Sequence, residues 1–239
     1  ELSWFDKLTM TVDSRQTAVG SRQDDRRQRT TVQTKSKRET MQILSIKGNN
    51  DVYTSNVYLL LGDWKRIEDV NTLIDVGSDP SIIETLETTA TGIGKNKIDQ
   101  VILTHGHSDH TAALPWIIEA YRPKVMAFSH YLDGVDRVLK NGDVIRAGDA
   151  LLEVIHTPCH TEDSICLYNP DTGALFVGDT PVIVQTTDAN YERRFYEALK
   201  SICNRKVRSI YFGHGEPLRH HVRERLYESL RNVRECLRD

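Results

Sequence analysis

The sequence predicts an α+β fold: two mixed β-sheets packed face to face, with helices on the outer faces. Three observations predict it. Short apolar runs recur between Gly, Asn, Asp and Pro turn signals, as strands do. Segments with helical apolar spacing are interspersed among them. Late in the chain, two apolar runs flank Asp171-Thr172-Gly173 and read as a hairpin.

Taken in order, residues 1–40 are polar and rich in Arg, Gln and Thr, with no core-facing period. They read as a solvated extension or an arm packed on a partner chain. A basic arm touching RNA or an acidic surface is the alternative. The folded domain is expected over 41–239. Met41–Ile46 alternates as a strand, Ser55–Leu61 follows the turn Gly48–Asp51, and Thr72–Gly77 makes a third strand. Ser78 or Asp79 is expected to cap a helix with Pro80 in its first turn, running through Ile82, Ile83 and Leu86. A further strand, with Ile98, Val101, Ile102 and Leu103, leads into Thr104-His105-Gly106-His107-Ser108-Asp109-His110, and Thr111–Ile118 reads as a helix start. Strands are then expected at Lys124–Phe128, Leu151–His156, Ser164–Tyr168, Ala174–Val177 and Val207–Phe212. Helices are expected at Tyr191–Ile202 and, from the spacing of Val222, Leu226, Leu230, Val233 and Leu237, at the C-terminus.

A length of 239 residues allows one large domain or two small ones, with enough chain for a substantial core. No run of about 18 apolar residues is present, so no membrane span is expected, and the opening residues show no signal-peptide pattern. The four cysteines form no CxxC pair, which suits reduced thiols and a cytoplasmic location. Net charge is +3 over residues 1–40 and −6 over the remainder, so the body is not an evident nucleic-acid binder. A homodimer is compatible with all of this.

The stretch from Thr104 to His110 carries the chemistry. Three histidines and an aspartate within six positions are hard to explain by packing, and imidazole nitrogen with carboxylate oxygen is the donor set of zinc and its neighbours. In an extended segment His105, His107 and Asp109 share one side. His110 faces elsewhere unless a helix starts there, in which case Asp109 and His110 reach a second metal. Gly106 reads as the residue that lets the backbone turn tightly. Three later strands also end in ligand-type residues: His160, Asp179 and His214. Their repeated placement at strand ends would bring distant residues to one rim.

Thr104 to His110 resembles the HxHxDH signature of the metallo-β-lactamase-fold hydrolases. Thr157–Thr161, Gly178–Thr180 and Gly213–Gly215 match that family's remaining motifs in order, while Asn56 and Leu73–Gly77 are similar to its opening strands. The resemblance covers about residues 41–217. It implies an αββα four-layer sandwich with a dinuclear metal site on one edge. His105, His107 and His160 would hold one ion, Asp109, His110 and His214 the other, and Asp179 would bridge both. Two divalent cations, zinc first and iron or manganese as alternatives, would activate a bridging hydroxide. Asp109 would act catalytically by helping a proton reach the leaving group.

The substrate implied first is a small-molecule thioester or ester, because Thr157–Thr161 is similar to glyoxalase II thioesterases. A chain with 25 residues after His214 is expected to lack that group's helical glutathione-binding domain. Alternatives are a phosphodiesterase or ribonuclease of the same fold, since Gly213–Pro217 also resembles the ribonuclease-like branch, or a non-catalytic metal-binding protein. A lactonase is disfavoured, because Thr180-Pro181-Val182-Ile183 replaces the tyrosine usual after the aspartate. Cys159 stands where many relatives carry glycine and reads as an inert small residue, with metal binding or oxidation as the alternative.

Overall fold

The computed structural model describes residues 41–49, 52–187 and 189–237. The expectation of an extension over residues 1–40 lies outside them. Eleven strands and five helices form two sheets among the described residues.

The first sheet has strand order β1-β2-β3-β4-β5-β6: β1 (Gln42–Ile46), β2 (Val57–Leu61), β3 (Thr72–Ile74), β4 (Gln100–Ile102), β5 (Lys124–Ala127) and β6 (Arg137–Val138). Its β3, β4, β5 and β6 run parallel, as strands joined by crossover connections do. The second sheet has order β11-β10-β9-β8-β7, from β7 (Val144–Ala147), β8 (Ala150–His156), β9 (Ile165–Tyr168), β10 (Ala174–Gly178) and β11 (Ser209–Phe212). Here β8 and β9 pair antiparallel, β9 and β10 antiparallel, and β10 and β11 parallel. Hence β8, β10 and β11 all point the same way, and their C-terminal tips reach one edge.

Strand periodicity builds the layers. Along β2, Tyr58 and Leu60 face the second sheet and pack with Ile74, Ile102, Leu152, Val154 and Phe176. The alternate residues Val57, Leu59 and Leu61 face outward onto helices α1 (Ile82–Thr88) and α3 (Leu114–Tyr121). The outer face of the second sheet, with Cys166, Leu175 and Val177, is covered by α4 (Arg193–Cys203) and α5 (Val222–Glu235) through Phe195, Leu199, Leu226 and Val233. Three apolar cores therefore separate four layers, which is the expected αββα sandwich.

Local differences from the sequence expectations have physical reasons. The helix expected from Ser78 or Asp79 starts at Ile82, because buried Asp79 accepts hydrogen bonds from the Ser81 backbone and hydroxyl and closes a turn ahead of it. The helix expected at Thr111 is two helices: α2 (Ser108–Thr111) and then α3, opened by Pro115. The two-residue edge strand β6 was not expected, since two residues carry no periodicity. Among the described residues no helix is long and apolar enough to cross a membrane. All four cysteines are free thiols, with Cys159 exposed and the others buried.

Candidate metal centre

The site forms where the tip of β4 in one sheet meets the tips of β8, β10 and β11 in the other. After β4 the chain bends at Thr104 and His105 and reaches His107, which is the N-cap of α2, so Asp109 and His110 lie on a helix. The helix start decides the geometry. Asp109 turns away from His105 and His107, against the alternation expected of an extended strand, and joins His110. Gly106 does not adopt a left-handed conformation. A Cβ there would meet the ends of the Leu132 and Asp163 side chains at 3.2 Å, which would have to give by a few tenths of an ångström.

Two donor clusters result. His105, His107 and His160 place one ligand atom each within 4.8 Å of the others, and so do Asp109, His110, Asp179 and His214. In the first cluster the ring centroids lie 4.6 to 4.9 Å apart. In the second, His214 Nε2 is 3.0 Å from Asp109 Oδ2 and His110 Nε2 is 3.2 Å from Asp179 Oδ1. Asp179 stands between the clusters, with Oδ2 3.7 Å from His160 Nε2 and 3.5 Å from His214 Nε2. All seven residues named from the sequence are thus together at one edge.

Supporting residues set which imidazole nitrogens face inward. Asp75 is buried in a left-handed conformation at φ 55°, a posture tolerated for a residue with strong local hydrogen bonds. It accepts from the Thr104 backbone at 2.7 Å and the Thr104 hydroxyl at 2.8 Å. Its Oδ2 also lies 2.8 Å from His110 Nδ1. A carboxylate only accepts, so His110 carries a proton on Nδ1 and turns Nε2 to the cluster. The Thr104 hydroxyl, spent as donor to Asp75, accepts from His105 Nδ1 at 3.2 Å. His105 Nε2 and His110 Nε2 are both buried and make no hydrogen bond. Two buried nitrogens that make no hydrogen bond, one of them 3.2 Å from the Asp179 carboxylate and each aimed into its cluster, fit a metal ion better than any packing role.

The electrostatics agree. Burial pushes the His105 imidazole down to about 4, helped by His110, and so keeps it in the neutral ligand form. Burial alone would lower His110, but Asp75 and Asp179 more than reverse this and raise it to about 10. That corner of the site therefore favours a cation. Asp179 is held below its usual range despite burial, through His110 and His214.

Close backbone approach tightens the assembly. At Gly213 a Cβ would lie 2.2 Å from Asp179 Oδ1 and 2.6 Å from His110 Cε1. Asn56 Nδ2 donates to the Phe212 and Gly215 carbonyls at 3.0 and 2.8 Å and so fixes the turn carrying His214. Asp75 and Asn56 were read from the sequence only as parts of opening strands; a lone polar residue at a strand end carries no spacing that reveals such roles. Beside the clusters opens a cleft of ≈ 350 Å³ lined by His160, Asp179, His214, Val182, Ile183 and Phe212 among others.

The profile of the metallo-beta-lactamase superfamily matches residues 50–133 and 129–235, which carries the likeness through α5 and past the 41–217 spanned by the motifs. An atrochrysone carboxyl ACP thioesterase of Aspergillus fumigatus is 26% identical over 196 residues, 80% of this chain and 61% of that protein. A probable hydroxyacylglutathione hydrolase of Schizosaccharomyces pombe is 34% identical over 140 residues, 56% of this chain and 50% of that protein. The chain matches only about half to three-fifths of the length of these relatives. In fold it resembles the BLEG-1 B3 metallo-beta-lactamase, with TM-score 0.57 and 20% identity over 80% of this chain and 97% of the other. ETHE1 from Myxococcus xanthus aligns with TM-score 0.57 and 19% identity over 81% and 88% of the two chains. With most of its length matched by one profile and its layers matched by that profile's fold, the chain belongs to the metallo-β-lactamase superfamily.

Proposed function

We propose that the chain is a metal-dependent hydrolase of a small-molecule thioester or ester. His105, His107 and His160 would hold one divalent cation, Asp109, His110 and His214 a second, and Asp179 would be shared. Zinc, iron and manganese all suit such imidazole–carboxylate sets. When bound, the pair supplies a hydroxide at neutral pH and a Lewis-acid contact to the oxygen of the bond under attack. The chain's own residues orient and move protons around that chemistry. Asp75 and Thr104 hold His110 and His105 with Nε2 inward, so neither ring has to reorganise during turnover. Half-buried Asp109, whose Oδ2 lies beside His214, is the carboxylate that carries a proton to the departing atom. The apolar cleft wall of Val182, Ile183 and Phe212 keeps water off the acyl group.

The observation that carries the reading is the pair of buried Nε2 atoms that make no hydrogen bond, one in each cluster, with the Asp179 carboxylate between them. The relatives named as a thioesterase and a hydroxyacylglutathione hydrolase support a thioester substrate. Elemental analysis, then turnover of a panel of thioesters, lactones, phosphodiesters and RNA, tests it. About two equivalents of metal and the highest kcat/KM on a thioester are expected. Fastest turnover on RNA, falling steeply with salt, would overturn the substrate class. Protein that takes up no metal would overturn the whole reading.

A further inference from the structure

We propose that the Tyr53 hydroxyl donates a hydrogen bond to the substrate's reacting carbonyl oxygen as negative charge builds there. The proposal rests on the hydrolase reading above and adds a donor to it.

Tyr53 lies in the loop between β1 and β2 and is 77% exposed, yet its ring is seated. It stacks on the His214 imidazole with centroids 5.1 Å apart and 16° between the planes. The Tyr53 carbonyl accepts from the Ser78 hydroxyl at 2.7 Å, and the Thr54 hydroxyl oxygen accepts from the Ser78 backbone at 2.8 Å. Two residues on, the Ser55 backbone donates to the Asp109 carbonyl at 2.9 Å. The loop is thereby tied to the segment after Asp75 and to the helix carrying Asp109.

Tyr53 Oη comes within 3.5 Å of His214 Nε2. That nitrogen is the atom 3.0 Å from Asp109 Oδ2 and 3.5 Å from Asp179 Oδ2. The phenol therefore ends where the second cluster's donors converge. A contact of 3.5 Å is too long for a strong hydrogen bond, so the hydroxyl keeps its capacity for a nearer acceptor. Apart from the cluster ligands, the described residues lining the opposite cleft wall offer no rival side-chain donor. The Thr180 hydroxyl is turned inward, 3.0 Å from Thr157 Oγ1, and Pro181, Val182, Ile183 and Phe212 are apolar. A neutral phenol hydrogen-bonds a carbonyl oxygen weakly and an oxyanion strongly, so its contribution grows along the reaction. Its O–H bond stays intact throughout, and no proton leaves Tyr53.

Tyr53→Phe keeps the ring and its stack and removes one exposed oxygen. In the zinc-loaded full chain, kcat on the best thioester of the panel is expected to fall about 30-fold with KM within about twofold. Zinc content should stay unchanged. An oxygen ester of the same acyl group should lose the same factor, because the acceptor is the carbonyl oxygen and not the departing atom. Independently of turnover, binding of an alkyl phosphonate, whose anionic oxygen stands in for the oxyanion, should weaken about 30-fold by calorimetry. Wild-type kcat and phosphonate affinity in Tyr53→Phe, a loss confined to KM, or a loss of zinc would each overturn the proposal. So would an inactive Tyr53→Ala beside an active Tyr53→Phe, since the ring would then carry the effect. Absence of turnover by the wild-type chain would overturn the hydrolase reading and this proposal with it; the other outcomes overturn this proposal alone.

Discussion

The two donor clusters meet at Asp179 but are supported very differently. In the His105/His107/His160 cluster only His105 is buried, and its support is one hydrogen bond from Nδ1 to Thr104. His107 and His160 are exposed and rest mainly on each other, with Nδ1 and Nε2 2.9 Å apart. In the other cluster His110 is fully buried against Asp75, Asn56 fixes the turn of His214, and the Asp109 and His110 carbonyls accept from Ser55, Val76 and Gly77. One set of ligands would therefore be ordered before any ion arrived, and the other would be ordered largely by the ion. Preorganisation lowers the cost of binding, so the cluster around His110 is expected to hold its metal more tightly.

The largest effect expected is on Gly213, where the clusters share a wall. Gly213→Ala puts a methyl group into Asp179 and His110. It should leave at most one equivalent of metal by elemental analysis and lower kcat/KM by about a thousandfold or more, because shared and second-cluster ligands move together. Retention of two equivalents would show that the two sets do not depend on this close approach.

A smaller and one-sided effect is expected from Asp75→Asn, which keeps the shape and removes the carboxylate behind His110. Affinity at the second cluster should fall about 10- to 100-fold, while the first stays within about twofold. A chelator titration should then show the order of release reversed relative to wild type, in which the exposed cluster is expected to empty first. Equal weakening at both would remove the asymmetry drawn above.

The smallest effect lies far from both clusters. Glu153 on β8 accepts from the Arg205 guanidinium, including a 2.9 Å bond from Nε, and this partner holds its carboxyl below the usual range. A depressed folded-state value contributes stability that is present above the unfolded value near 4.5 and lost as pH falls through the folded one. Because Glu153 is about a third exposed, the pair is screened. Glu153→Gln should cost about 0.5 kcal/mol at pH 7, less at pH 2, and no metal. Denaturant midpoints at the two pH values check it.

Much of this molecule can be read from the residues. β2, β4 and β10 are legible because each is a continuous apolar run closed by a turn signal, and the ligands at the tips of β4 and β10 are legible because His and Asp follow at once. The partition between clusters is legible only through the family resemblance: strand alternation alone puts Asp109 beside His105 and His107, because the grouping with His110 depends on a helix beginning at Ser108 with no side-chain cap to announce it. Asp75 was hidden for another reason: its partners Thr104 and His110 lie 29 and 35 residues away, and only the parallel pairing of β3 with β4 brings them near. Tyr53 was missed altogether, because its partner His214 is 161 positions distant and a tyrosine in a turn has no distinctive neighbours.

The ligands divide between the halves of the sandwich. His105, His107, Asp109 and His110 follow β4, whereas His160, Asp179 and His214 follow β8, β10 and β11. Between those halves lies an apolar seam that includes Tyr58, Ile102, Leu152 and Phe176. A cation held jointly would act as a clasp across that seam, so whatever loosens the grip of one half on the other would also weaken the clasp. Repacking the seam well below the rim would change metal affinity without touching a ligand.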